Sequence, residues 1–293
     1  GRLMPDRTWR AGLHQAIEAK EGVEVQPMKD TLARISFQRF FRQYPKLCGM
    51  TGTAWEARHE LWQVYFRQVV RIPTHRPCLR IQSPDVFYRT ADQKWQAVVE
   101  RIEQVHATSR PVLIGTRSVS ASEKLSAMLT AKGLTHQVLN AVRHKEEAQI
   151  IAQAGQPNAI TVATNMAGRG VDVKLGRGVI ELGGLEVIAT ERHETQRVDR
   201  QLFGRSARHG DPGTAIAIVS LEDDLLKRHS RGWRRSLGRY WLGSKLPFAH
   251  CVLTRVIRAA QGKAERLALQ QRKSVVKHDD WLDEQLGFTS QRS

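Results

Sequence analysis

Ala159-Ile160-Thr161-Val162-Ala163 runs directly into Thr164-Asn165-Met166-Ala167-Gly168-Arg169-Gly170-Val171-Asp172. The first five residues are apolar and β-branched. Pro157-Asn158 precedes them and glycines follow, which is the pattern of a short buried strand. A strand ending in a Gly-Arg-Gly-x-Asp loop brings backbone N–H groups and one carboxylate to the C-terminal edge of its sheet. In open α/β sheets that edge is where ligands bind. A second block, Gln201-Leu202-Phe203-Gly204-Arg205-Ser206-Ala207-Arg208-His209-Gly210-Asp211-Pro212-Gly213, sets Arg205 and Arg208 three residues apart. On a helix that is one turn, so the spacing predicts both guanidiniums on one side. Two planar, permanently charged forks suit the charge that develops on a phosphoryl group in transfer.

Each block alone has a plainer explanation. A Gly-rich loop after a strand is often only a turn, and an Arg-x-x-Arg pair in a basic protein is usually a solvated face. Here both occur, in this order, with Arg208 following Asp172 by 36 positions. In an alternating α/β chain that is the layout of the last two motifs in the second lobe of a two-lobed RecA-like motor.

The rest of the chain alternates in the same way. Asp92 to His106 carries Trp95, Val98, Val99, Ile102 and Val105 at helical spacing. Helices are also expected at Ser118 to Lys132, closed by Gly133, at His144 to Gln153 and at Glu194 to Phe203. Strands are expected at Pro111 to Thr116, His136 to Asn140, Leu185 to Thr190 and Thr214 to Ser220. The implied fold is α/β, a parallel sheet with helices on both faces. Upstream, Trp9 to Lys20 reads as a helix with Leu13, Ala16 and Ile17 inward. Thr31 to Tyr44 reads as another, with Leu32, Ile35, Phe37, Phe40 and Phe41 inward. Leu47 to Ala54 reads as strand into loop, Trp55 to Tyr65 as helix and Gln68 to Ile72 as strand. Pro73-Thr74-His75-Arg76-Pro77 interrupts the pattern and marks a boundary. Downstream, Cys251 to Ile257 begins a helix that runs past Gly262 to Val276. Three units follow: 1–75, 76–229 and a basic helical segment 230–293.

The chain has 293 residues, 46 Lys and Arg against 29 Asp and Glu, and a formal charge of +17. From Ser230 to Ser293 there are 13 basic and 5 acidic residues, a net +8. Such a surplus suits an anionic partner: nucleic acid, anionic lipid or an acidic protein face. Cys48, Cys78 and Cys251 are far apart and form no Cys-x-x-Cys pattern, so neither a zinc site nor a disulfide framework is indicated. His136, His144 and His193 lack partners at ligand spacing. No apolar run approaches 18 residues and no signal-peptide pattern is present, so a soluble cytosolic protein is expected.

The two blocks resemble the SecA family, whose pattern is Thr-Asn-Met-Ala-Gly-Arg-Gly-Thr-Asp-Ile and Gln-Leu-Arg-Gly-Arg-Ser-Gly-Arg-Gln-Gly-Asp-Pro-Gly. The chain departs at Val171 and Val173 in the first, and at Phe203, Ala207 and His209 in the second. Further similarity lies in Gly12 to Gly22, Gly49-Met50-Thr51-Gly52-Thr53-Ala54, Val138-Leu139-Asn140-Ala141, Thr190-Glu191-Arg192-His193-Glu194 and Leu221-Glu222-Asp223-Asp224-Leu225. These follow the family order from Gly1 to about Arg228, and residues 230 to 258 match it poorly. Ala260 to Glu265, Arg272-Lys273 and His278-Asp279-Asp280 resemble the family's long scaffold helix.

The resemblance implies a RecA-like second lobe at 76–229, the closing part of the first lobe at 1–75 and a scaffold-like segment at 230–293. It implies ATP with Mg²⁺ as cofactor and ATP-driven export of preproteins as function. Arg205 and Arg208 would act on the γ-phosphate as arginine fingers. Asp172 would contact the nucleotide, Gly170 would allow close approach and Arg169 would support the loop. Thr51 and Thr53 would relay nucleotide state. A phosphate-cradling Gly-x-x-x-x-Gly-Lys-Ser/Thr loop is not in the sequence. The resemblance puts that loop and the family's Asp-Glu pair N-terminal to Gly1, so the chain would hold half an ATP site and hydrolyse little ATP alone. Implied partners are preproteins, a SecYEG-type translocon channel, an anionic membrane surface, the missing N-terminal part of the motor, and a second copy of the chain. The implied place is the cytoplasmic side of the plasma membrane, peripherally bound. Two other readings stay open: a catalytically silent SecA-like binding module, and the C-terminal lobe of a nucleic-acid helicase.

Overall fold

A computed structural model describes residues 9, 11–27, 35–139, 147–164, 171–230, 232 and 249–290, without the side chains of 147, 148, 249 and 282–290. Its centre is a parallel sheet. In chain order the strands are β1 (Arg80–Gln82), β2 (Val86–Tyr88), β3 (Val112–Thr116), β4 (Gln137–Leu139), β5 (Ile160–Thr164), β6 (Leu185–Ala189) and β7 (Gly213–Ser220). The spatial order is β1-β7-β6-β3-β5-β4, and β2 pairs with the far end of β7. Every pairing is parallel. β3, β5 and β6 are buried along their full length, as expected for strands covered on both faces.

Period-2 alternation divides the strand side chains between two cores. On one face, α4 (Ala91–His106) and α5 (Val119–Ala131) cover Val112, Ile114, Ile160, Val162, Ile188 and Ile218. The expected helical stripe of Trp95, Val98, Val99, Ile102 and Val105 is the buried face of α4. Thr90 and Gln93 form a capping box at its start. Ser118 caps α5 by accepting from Ala121 N, and Gly133 leaves that helix in the left-handed region at φ 71°. On the other face lie α6 (Glu147–Gln153), α7 (Gln196–Phe203), α8 (Asp224–His229) and the long α9 (Ala249–Ser290). α9 inserts Leu253, Val256, Ile257, Ala260 and Ala264 against Leu185, Val187, Ala189, Ala215 and Ala217. It passes Gly262 without a break.

One charged side chain interrupts the sheet. Glu186 on β6 is fully buried. Arg101 donates to it at 2.7 and 3.0 Å, Arg110 lies 3.5 Å away, and the Thr214 hydroxyl donates at 3.0 Å. A buried carboxylate is tolerable only with this degree of pairing.

The N-terminal region differs from expectation. α1 (Leu13–Lys20) starts four residues late, because Ala11 and Gly12 are both left-handed, at φ 56° and 76°. Leu13 and Ala16 face solvent, and the buried residue is Glu18, which accepts from Gln26 N. α2 covers only Phe37–Arg42. Leu32 falls outside the described residues, and Ile35, Phe37, Phe40 and Phe41 are exposed rather than inward. No described sheet covers them. A 3₁₀ turn (Trp55–Ala57) and α3 (Arg58–Tyr65) meet the expected helix, whereas 47–54 and 68–72 form no strand because neither has a ladder partner among the described residues. β1, β2 and α8 were not expected; three to six residues are too few to carry a periodic signal.

Candidate functional site

The C-terminal ends of β4 and β5, through Leu139, Ala163 and Thr164, and Leu113 near the start of β3 border one cavity of about 700 Å³. Its lining includes Thr51, Thr53, Asp172, Arg205 and Arg208. Five of the seven residues singled out in the sequence therefore meet in one place. The other two, Arg169 and Gly170, lie outside the described residues. Thr164, the last residue of β5, also lines the cavity, and its buried hydroxyl has no hydrogen-bond partner among the described residues.

The two arginines are not on a helix, contrary to what their spacing predicts. α7 ends at Phe203, and both arginines belong to the turn that follows. That turn is fastened to the helix by backbone bonds from Gly204 N, Arg205 N and Ser206 N to the carbonyls of Arg200, Leu202 and Phe203. Ala207 and His209 both adopt positive φ, 54° and 58°. The resembling family has glycine at the first of these, which suits a left-handed position. Ala207 holds the same geometry at a cost on the order of 1 kcal/mol. Between the arginines, Ser206 is buried and donates to Leu185 O at 2.8 Å.

Each arginine is braced from the loop after β5. Arg205 Nη1 donates to Val171 O at 2.8 Å. Arg208 Nη1 donates to Asp172 Oδ1 at 2.6 Å, and its Nε donates to Gly204 O at 2.8 Å. The other oxygen of Asp172 lies 2.9 Å from His209 Nε2. Partial burial raises the Asp172 pKa, but the bonds from His209 and Arg208 outweigh it and hold the carboxyl below its ordinary value. Both oxygens of Asp172 are thus occupied by protein donors. Phe203, where the family pattern has arginine, is buried in the core with the Arg192 guanidinium 4.9 Å from its ring centroid.

Thr51 and Thr53 come from the N-terminal region and reach α7 directly. Gln201 Nε2 donates to Thr53 Oγ1 at 3.1 Å, and the two threonine hydroxyls are 3.3 Å apart. Arg200 pairs with Glu56 and donates to Gly52 O at 3.2 Å. Sequence reasoning did not single out Arg200, Gln201 or Glu56. Arg200 and Gln201 stand four and three positions before Gly204, so helical spacing could have flagged them; their partners, 144 and 148 positions away, could not be read that way. Among the described residues no group of three metal-ligating side chains occurs, and no helix is long and apolar enough to cross a membrane.

Comparison with known proteins points one way. A family model described as the SecA P-loop domain matches residues 77–179 and 176–237, and one described as the SecA DEAD-like domain matches 6–62. The protein translocase subunit SecA of Syntrophomonas wolfei is 51% identical over 286 residues, 97% of this chain and 34% of that protein. The SecA of Thermotoga neapolitana is 50% identical over 289 residues, 97% of this chain and 33% of its own. The chain spans about a third of the length of the curated relatives it matches. A solved structure of the E. coli DEAD-box protein SrmB bound to RraA aligns at 21% identity and TM-score 0.40, over 54% of this chain and 86% of that one.

Proposed function

Since this chain belongs to the SecA family, we propose that it forms the second lobe, with the closing part of the first, of an ATP-driven preprotein translocase motor. The observation that carries this reading is the cavity in which Thr51, Thr53, Asp172, Arg205 and Arg208 converge. Two guanidiniums with fixed braces, in a turn packed on the starts of β6 and β7, suit the γ-phosphate of ATP. The residues fit a nucleotide's phosphates, and the unpartnered Thr164 hydroxyl adds a donor. When bound, ATP supplies the phosphoryl group whose transfer drives the motor. Asp172 holds Arg208 in place until a phosphate competes for it. Val171 O sets the direction of Arg205. The Thr53–Gln201 bond carries the state of this turn to the first-lobe region. Arg169 and Gly170 complete the loop after β5 in this reading. Mg²⁺ bound with ATP would neutralise phosphate charge, and no described cluster of carboxylates in this cavity would hold it. Boundaries near 75 and 230 separate the three units.

Preproteins and a SecYEG-type channel are the partners of the motor so described. Its place is peripheral, on the cytoplasmic face of the plasma membrane, where the basic segment 230–293 meets anionic lipid. The test is titration of a fluorescent ATP analogue with Mg²⁺ into the chain and into Arg205→Ala and Arg208→Ala. Each variant is expected to weaken binding about tenfold or more, as loss of a charge-assisted bond does. ATP turnover by the chain alone stays at background. Unchanged affinity in both variants, or sustained turnover by the purified chain, would overturn the reading.

A further inference from the structure

α7 is eight residues long and strongly polar, too short to be stable by itself. Its N-cap residue, Thr195, makes no capping bond, and the buried Thr195 hydroxyl has no partner among the described residues. The missing acceptor comes instead from α9: Glu265 Oε1 accepts from Gln196 N at 2.9 Å. A carboxylate at a helix N-terminus is also favoured by the helix dipole. One turn earlier on α9, the buried amide of Gln261 donates to His193 O at 2.9 Å and to Asp199 Oδ2 at 2.8 Å. Asp199, on α7, further accepts from Arg192 at 3.2 Å and from His193 N and Nδ1 at 2.9 and 2.6 Å. The seat of α7 is therefore built largely by another helix.

The same helix holds the N-terminal region by its other half. Arg272 makes a bidentate pair with Glu60 on α3, Asp280 accepts from Arg42 at 2.9 Å, and Asp279 accepts from Ser36. α7 touches that region too, through Arg200 and Gln201. Relative movement of the N-terminal region thus reaches α7 both directly and along α9.

We propose that Gln261 and Glu265 are positioning residues for Arg205 and Arg208, acting through α7, so that α9 reports the placement of the N-terminal region to the arginine pair. This rests on the reading that the pair meets a phosphate. The physical link is short. Gln261 fixes Asp199 in the middle of α7, and the amides of Gly204, Arg205 and Ser206 hang from carbonyls within α7's last turn. A shift at Gln261 cannot leave that turn undisturbed, because each bond in the series is made to the next.

The test is hydrogen exchange by mass spectrometry on the full chain, in Gln261→Leu, Glu265→Leu and Glu265→Gln. Loss of the Gln261 amide is expected to speed exchange at residues 204–206 roughly tenfold, with β3 and β5 unchanged. Glu265→Leu should act in the same direction. Glu265→Gln keeps an acceptor oxygen and should restore wild-type exchange, which a purely packing role would not require. Residues 204–206 exchanging as in wild type, or β3 and β5 loosening in step with them, would overturn the inference. The same variants should bind the fluorescent ATP analogue more weakly. If Arg208→Ala leaves analogue binding intact while residues 204–206 still respond to Gln261→Leu, the phosphate reading fails and the link between α9 and the turn stands.

Discussion

Arg208 and Asp172, 36 positions apart, are joined by an ion pair at 2.6 Å across the mouth of the cavity. The pair links the turn after α7 to the loop after β5. Partial burial raises the Asp172 pKa, but the bonds from His209 and Arg208 overcome it and hold the carboxyl below its ordinary value. A carboxyl with a lowered folded pKa adds stability that is complete above its unfolded value, about 3.9, and lost as pH falls through the lower folded value. The melting temperature of Asp172→Asn should therefore lie below wild type at neutral pH, and the two should converge below about pH 4. The gap should be modest, because the pair is about a third exposed and screened by solvent. A gap that widens on acidification would show that the carboxylate is not held in this way.

Gly213 opens β7 where the arginine turn lies against the sheet. A Cβ there would collide with Ser206 Oγ and approach Ala207 N to 2.9 Å and Leu185 O to 3.1 Å. Ser206 is buried and bonded to Leu185 O, so it has nowhere to go. Gly213→Ala should cost about 1–3 kcal/mol, measured by urea unfolding. It should also weaken binding of the ATP analogue, because Ser206 lies between the two arginines. Wild-type stability together with wild-type binding would mean that the turn is free to shift.

Glu186 holds Arg101, Arg110 and Thr214 on the opposite face of the sheet from Leu185 and the arginine turn. Glu186→Ala leaves the largely buried Arg110 without its carboxylate. The expected loss is about 3–5 kcal/mol in chemical unfolding, with little effect on analogue affinity per folded molecule. A cost below about 1 kcal/mol would place this network among ordinary surface pairs.

Gly262 lies inside α9, between Gln261 and Glu265. A Cβ at this position would meet only Arg266 Nη1, at 3.6 Å, and the backbone is helical. The glycine is therefore not required by space or by conformation. Gly262→Ala should stabilise the chain by about 1 kcal/mol, read as a higher urea midpoint at unchanged slope. A lower midpoint would show that the helix needs its freedom there.

Some of this protein was written in local sequence. The stripe from Trp95 to Val105, the five-residue run into Thr164 and the strand starting at Gly213 each carry a period that only one kind of element satisfies. The parallel sheet followed from their alternation, and the resemblance to SecA followed from blocks such as Thr190 to Glu194. The grouping of Asp172 with Arg205 and Arg208 was legible through the resemblance and not through strand order, because Asp172 follows β5 whereas the arginines lie in the turn before β7. What local pattern could not decide was how that turn is held. The spacing of Arg205 and Arg208 suggested a helix, yet left-handed Ala207 and His209 made a turn. Asp172 looked like a ligand contact, and its oxygens are taken by Arg208 and His209. Gln261, Glu265 and Glu186 read as ordinary polar residues. Their roles depend on partners 62 to 85 positions away, brought within 3 Å only when the helices close over the sheet. Periodicity reports which face of an element is buried, because burial repeats along the chain. A single hydrogen bond between distant residues does not repeat, so only the folded path of the chain reveals it.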